Sequence, residues 1–434
     1  MLEKMKNAWR IPELRKKIIY TFGMLLIYRL LCVIPVPGIN VSAVASAVKD
    51  YSILDFMNMM TGGSFQNMSI MAMGITPYIN SSIILQLLTV AIPALEKLAN
   101  EGPEGRKKIN EYTRYLTVVL AFIQAVGLVF AMRANSYGGV WYLVIGLSMA
   151  AGSALAMWIG ERITENGVGN GISIVLTINI ISRMPSDLSS LYQQFVKGKA
   201  VAVGALAAVI ILAIIVGMVI LVIILNDAVR KIPVQYAKKV QGRKMVGGQS
   251  TFIPLKVNTA GVIPVIFAQS ILQIPIIISQ LTGYKGTGPW AYILRGLNSS
   301  YWCKPSELVY SIGLIVYIVM VIFFAYFYST IQFNPIEVAN NLKKNGGFIP
   351  GFRPGKPTSE FIQKVLNKIT LFGALYLGII AVVPILVAHF SQSASLTGVS
   401  LGGTSIIIVV GVALETVRAL EAQMLMRNYK GFLD

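Results

Sequence analysis

Cysteine and histidine are nearly absent from this chain, which holds two cysteines, Cys32 and Cys303, and one histidine, His389, in 434 residues. Two distant thiols make no disulfide framework, and one imidazole without a second nitrogen or thiol ligand makes no metal centre. Charge is scarce as well: 13% of residues are Asp, Glu, Lys or Arg, about half the share of a soluble domain. Intramembrane proteolysis would need paired aspartates, a serine with a base, or a metal. An ion-coupled transporter would need buried carboxylates or a charged relay. Neither arrangement can be placed in the apolar runs: Asp55 lies alone near the outer surface, and Glu415 and Arg418, three apart near an inner helix end, read as a structural pair. The glycine cluster Asn166-Gly167-Val168-Gly169-Asn170-Gly171 has no strand before it and no lysine after it. That excludes a phosphate loop and leaves a tight turn into a helix. No enzymatic activity and no cofactor are expected.

Apolar sequence is what the chain has in abundance, with 55% hydrophobic residues and a mean hydropathy of +0.68. Runs long enough to cross a bilayer fall at 18–36, 75–93, 114–133, 140–160, 171–184, 201–225, 259–281, 308–331, 369–388 and 402–420. The expected class is an all-α integral membrane protein with ten transmembrane helices. Because five is odd, two groups of five spans run through the membrane in opposite senses, the parity of an inverted-topology repeat. The halves are expected at 18–184 and 201–420, joined by an outer hinge loop at 185–200. Most Lys and Arg residues lie on the side that holds both termini, which places the segment 1–17, the tail 421–434 and the long loops 226–258 and 331–368 in the cytoplasm. A cleaved signal peptide is the rival for the N-terminus, but its apolar run is too long for a signal core. Residues 1–17 read as an interfacial helix with Met5, Trp9 and Ile11 toward lipid, and Arg29 is expected to snorkel to the outer headgroups.

Three segments are irregular. Residues 53–74, rich in Met, Gly and Asn around Gly62 and Gly63, are too polar for lipid and read as a half-inserted helix folded into a cavity, with an outer surface helix as the alternative. Gly171 to Met184 is short for a span, and Ala260 to Leu281 contains Pro264 and Pro275, which permit bending. The irregular spans offer branched aliphatic side chains at helical spacing: Ile75, Ile79, Ile172, Leu176, Ile266 and Ile408. Both long loops are basic. The first holds Arg230, Lys231, Lys238, Lys239, Arg243, Lys244 and Lys256, and the second Lys343, Lys344, Arg353, Lys356, Lys364 and Lys368. Loops of that size and charge suit a large acidic partner.

Four runs carry a family resemblance: Gly74-Ile75-Thr76-Pro77-Tyr78-Ile79-Asn80-Ser81-Ser82, Gly169-Asn170-Gly171-Ile172-Ser173, Pro254-Leu255-Lys256-Val257-Asn258-Thr259-Ala260-Gly261, and Phe348-Ile349-Pro350-Gly351-Phe352-Arg353-Pro354-Gly355. In this order they resemble the SecY family, central subunits of the bacterial protein-conducting channel. The resemblance implies two inverted five-helix halves forming a clamshell around a central pore that passes unfolded polypeptides bearing a signal sequence and releases apolar segments sideways into membrane lipids. It implies a closing ring of Ile75, Ile79, Ile172, Leu176, Ile266 and Ile408. A plug is implied at 53–74, with Phe56, Met60, Gly62 and Gly63. The lateral gate would lie between the second and seventh spans, biased shut by Gln86 and Asn258. The basic loops, through Arg353, Lys238, Lys239, Arg243, Lys244 and Lys356, would bind the motor ATPase SecA and the ribosome, and the small subunits SecE and SecG would accompany the chain in the bacterial cell membrane. Without the resemblance, an inverted-repeat transporter of small solutes or an assembly scaffold stays open.

Overall fold

The computed structural model describes residues 9–39, 61–132, 139–195, 201–236, 239–241, 244–246, 250–259, 261–281, 288–297, 302, 308–390 and 403–430. The elements, in chain order, are α1 (Pro12–Leu31), α2 (Thr76–Ala91), α3 (Pro93–Asn100), α4 (Pro103–Met132), α5 (Gly139–Asn166), α6 (Gly171–Phe195) and α7 (Val201–Asp227). A hairpin region follows with β1 (Val229–Tyr236), β2 (Lys239–Gln241), β3 (Lys244–Val246) and β4 (Ser250–Lys256). Then come α8 (Ile263–Leu281), α9 (Pro289–Leu297), α10 (Ile312–Gln332), α11 (Pro335–Lys344), β5 (Gly347–Phe348), α12 (Lys356–Phe390) and α13 (Gly403–Lys430).

Each of the ten apolar runs lies on a helix: α1, α2, α4, α5 and α6 in the first half, and α7, α8, α10, α12 and α13 in the second. Among the described residues, α4, α5, α7, α10 and α12 are long and apolar enough to span by composition alone, while α6 and α8 carry shorter apolar stretches. Between α2 and α3 the chain bends by 106°. Pro93 offers no amide donor and forces Ile92 into extended backbone (φ −110°, ψ 112°), which stops α2. The five-helix groups meet along two seams, one where α8 lies against α2 and α4, the other where α6 meets α7 and α13.

Several boundaries differ from the sequence expectations. Residues 185–195, expected as hinge loop, continue α6 through Pro185, since an interior proline removes one backbone bond yet leaves neighbouring turns to hold the helix. In α8, Pro264 sits in the first turn, where its missing N–H costs nothing, and Pro275 alone lies inside. From Pro12 the basic N-terminal segment is continuous with the first span. Ile11 packs beside Leu14, Val168 and Leu420, turned away from lipid, while Trp9 is exposed.

The two long polar loops form one small domain, which the sequence does not announce. Strands β1 and β4 pair antiparallel from Val229↔Lys256 to Gln235↔Ser250, and β5, from the second loop, adds to the other edge of β1 through Gln235↔Phe348 and Tyr236↔Gly347. Alternation along β1 turns Ile232 and Val234 inward, where they meet Leu255 of β4, Leu342 of α11, Ile349 and Ile362 of α12. An apolar core thus holds a surface that its charge would otherwise splay.

Candidate pore and docking face

Six aliphatic side chains singled out from the sequence converge at the junction of the halves. Ile75, Ile79 and Leu176 belong to one buried cluster against which Ile172 and Ile266 pack. Ile408 lies 3% exposed in a neighbouring cluster with Ile180 and Val412, and Ile266 packs against that one as well. Above them is a cavity of about 520 Å³ whose walls include Leu176, Ile266, Ile408 and Val412 deep in the fold and Lys256, Asn258, Glu415 and Arg418 near the sheet. Ile75, Ile79 and Ile172 stand behind this lining. A passage bordered there by branched hydrocarbon offers a hydrated ion no partner.

Polar pairing at the seams departs from expectation. Asn258 donates from Nδ2 to Oδ1 of Asn226 at 2.9 Å, within the second half. Gln86 donates to the Ser82 hydroxyl one turn below at 3.3 Å and approaches Tyr328 of α10. Gln86 and Asn258 do not bond each other here: Asn258 is turned to Asn226 at the end of α7, and Gln86 to Ser82 and Tyr328. Arg418 likewise does not pair with Glu415. It donates to the Asn226 carbonyl at 3.0 Å and to Asp227, since the last carbonyls of α7 lack intrahelical donors and its negative dipole end attracts a cation. Glu415 is left exposed on the cavity wall. Asn226 and Asp227 were missed as site residues. Their signal was two polar side chains closing an otherwise aliphatic helix.

Below the aliphatic cluster, opposite the sheet, the described part of the irregular segment, residues 61–74, is a succession of turns where a helix was expected. Short bonds such as Ala72 N to Ser69 O (2.8 Å) and Gly74 N to Met71 O (2.9 Å) replace a helical ladder. Phe65, Met68, Ala72 and Met73 bury themselves against Ala125, Leu128 and Val129 of α4 and Ile145 and Met149 of α5. The chain before them adds two backbone bonds, Val36 N to Met68 O and Ile70 N to Ile34 O, each 2.9 Å. A Cβ on Gly152 of α5 would collide with the Ile70 carbonyl, so that glycine seats the segment. Asp55, Phe56 and Met60 lie outside the described residues. Gly62 is considered below with Arg29, which does not snorkel outward: half-buried, it donates to Asn179 of α6.

On the candidate docking face, Arg353 is exposed and makes no ion pair among the described residues. Its backbone is fixed: Thr358 donates from Oγ1 to the Arg353 carbonyl at 2.8 Å, and Phe352 stacks on Phe361 with centroids 4.1 Å apart. Lys356, also exposed, begins α12. Lys239 and Lys244 lie on the two-stranded ribbon of β2 and β3, while Lys238 and Arg243 fall outside the described residues. Lys231 on β1 places its ammonium 4.7 Å from the Phe252 ring centroid. The sheet thus presents a basic face on a rigid base.

The SecY family model matches residues 69–417. The chain belongs to the SecY family. It is 44% identical, over the full length of both chains, to a protein translocase subunit SecY of Streptomyces scabiei. Its fold is similar to that in "The structure of a protein conducting channel", with TM-score 0.69, 18% identity and 97% of each chain covered. It is also similar to Sec61 in the canine ribosome-channel complex from the endoplasmic reticulum, with TM-score 0.64, 17% identity and the same coverage. SecY membership makes this a multi-pass membrane protein and the pore-forming subunit of a protein translocase, with ten spans in two halves closing as a clamshell. The small-solute transporter and the assembly scaffold fall away.

Proposed function

We propose that this chain conducts unfolded secretory polypeptides through a waist formed by Ile75, Ile79, Ile172, Leu176, Ile266 and Ile408, and releases apolar segments through the seam between α2 and α8. The observation that carries this is the convergence of aliphatic side chains from both halves, with Leu176, Ile266 and Ile408 at the floor of a cavity whose mouth is polar and Ile75, Ile79 and Ile172 packed behind them. Aliphatic side chains can part for an extended chain of any sequence and close again without a charge to neutralise. Residues 53–74, with Phe56, Met60, Gly62 and Gly63, act as the plug beneath the waist. The gate bias comes from Gln86 toward Tyr328 across the seam, an interhelical bond of a kind that contributes about 0.6–2 kcal/mol, while Asn226 holds Asn258 at the entry to α8. No step calls for a cofactor or an enzymatic reaction by this chain.

The sheet domain faces the cytoplasm, as do both termini, in a bacterial inner membrane. Arg353 and Lys356, with the ribbon bearing Lys238, Lys239, Arg243 and Lys244, receive the SecA motor and the ribosome. A guanidinium on a fixed loop suits a fork-like bond to carboxylate or phosphate. SecE and SecG pack against the lipid-facing surfaces. To test the conducting path, a photo-crosslinking amino acid is placed at Ile408, Ile266 or the exposed Ile210 of α7, and a preprotein is stalled in transit in reconstituted vesicles. Crosslinks should form at 408 and 266 and be absent at 210. Equal yield at all three, or none at 408, would sink the assignment.

A further inference from the structure

Arg29 is a charge inside an apolar helix, and such a residue needs a partner or a task. Here the partner is Asn179 of α6, and Gly62 of the 61–74 segment packs beside the pair. The guanidinium donates from Nη1 to Asn179 Oδ1 at 3.4 Å. The same Asn179, fully buried, donates from Nδ2 to the Tyr28 hydroxyl at 2.9 Å, while Ser182 donates from Oγ to the Asn179 carbonyl at 2.7 Å. Gly62 lies against this cluster with φ at +65°. A Cβ there would stand 2.8 Å from Arg29 Nη1, 2.9 Å from Ser182 Oγ and 3.0 Å from Asn179 Cα. Gly63 also has positive φ, +87°, yet a Cβ on it would meet nothing within 4 Å. Two adjacent glycines with like backbone demands therefore differ in one respect: only the first is enclosed, and a charged side chain forms part of the enclosure.

The geometry points to a latch. Arg29, Asn179 and Ser182 form a socket on α1 and α6 that grips the chain at Gly62 and holds the 61–74 segment under the waist, so that opening the channel requires this socket to be vacated. The inference rests on the reading of that segment as a plug and adds its regulation. Arg29 and Asn179 are positioning residues, since neither lines the cavity described above. Asn179 fixes the guanidinium, and the guanidinium and Ser182 hydroxyl leave room for a hydrogen atom and no more.

Resting conductance of the purified channel in planar bilayers tests it. Gly62→Ala, which adds a clash in the socket, and Arg29→Gln, which removes the side chain that encloses Gly62, should each raise resting conductance about tenfold, a shift of about 1.4 kcal/mol in the closed population. Gly63→Ala carries similar backbone strain without the collision, and should raise it by less than a third of the Gly62→Ala increase. Asn179→Asp gives Arg29 a full counter-charge and lets Tyr28 donate to the carboxylate, so it should lower conductance below wild type and slow export. Ile408→Asn is measured alongside. If it leaks while Gly62→Ala equals Gly63→Ala and Arg29→Gln stays tight, the latch is wrong and the pore reading stands. If Ile408→Asn and the latch variants are all tight, both ideas fall. A tightened Asn179→Asp channel supports the latch even where Arg29→Gln proves too unstable to purify.

Discussion

Replacing Ile408 by asparagine should convert a dry constriction into one that water enters. Ile408 is 3% exposed, packed by Ile180, Val262, Ile266, Val409 and Val412, and it also borders the cavity. Burying such a side chain contributes about 1.5–3 kcal/mol. With about 1.4 kcal/mol per factor of ten, the closed arrangement should lose on the order of 10- to 100-fold in population. The asparagine amide adds donors and acceptors for water, which pushes the same way. Planar-bilayer recording with no polypeptide present gives the resting conductance, and export of a preprotein with a weakened signal sequence gives the second readout; both should rise. Ile75→Ser, at a side chain 2% exposed in the adjoining cluster, should leak comparably. Ile210→Ser, at a residue 49% exposed on α7, should leak far less. If ring and control variants are equally tight, these isoleucines are ordinary packing and the seal lies elsewhere.

Arg353→Glu, on a loop fixed by Thr358 and the Phe352–Phe361 stack, should leave the protein inserted and abundant while motor-driven export falls at least tenfold; parallel loss of abundance would indicate a structural role. Single cysteines at Arg243 and Lys356 should escape a membrane-impermeant thiol reagent in intact cells, while cysteines at Lys197 and Lys285 should react, and labelling at 243 or 356 would reverse the orientation. Gly347→Val sets a Cβ 2.9 Å from the Tyr236 ring and 3.3 Å from Leu342. It should cost about 1–3 kcal/mol and make the sheet domain sensitive to limited proteolysis with the spans intact, whereas unchanged protease resistance would mean the β1–β5 pairing is dispensable.

Span positions were legible because a bilayer imposes one local rule, about 20 apolar residues per crossing, and α7 or α10 obeys it with hardly an interruption. Helix ends obey no such rule. At α6 the apolar stretch stops near Met184 while the hydrogen-bonded helix runs on to Phe195. Partner choice was legible least. The alternation in Val229–Tyr236 signals a strand, but nothing local tells that its second edge receives Gly347–Phe348 from more than a hundred residues away. The aliphatic positions came from the family resemblance, and the structure gathers them. Arg418 was misassigned to Glu415, because a guanidinium has several acceptors in reach and the nearest in sequence loses to an unsatisfied helix end such as the Asn226 carbonyl; Gln86 and Asn258 take separate side-chain partners, Ser82 and Asn226.

That competition explains how a channel with so little charge can hold one state. Each seam is closed mainly by interchangeable hydrocarbon, which resists water but specifies no particular register. A few polar groups supply the specification: Gln86 toward Tyr328 and Lys17 to Gln423 reach between the halves, while Asn258 to Asn226 and Arg418 to Asp227 fix the second half and Arg29 to Asn179 the first. Interhelical bonds of this kind average well under 2 kcal/mol each, so none locks the molecule irreversibly. An arriving apolar helix that buries even a few side chains, at about 1.5–3 kcal/mol apiece, can outweigh one of them. In the proposed pore, a closed state held this way is stable against thermal wetting yet weak against an arriving apolar helix, which is the balance that a gate opened by binding requires.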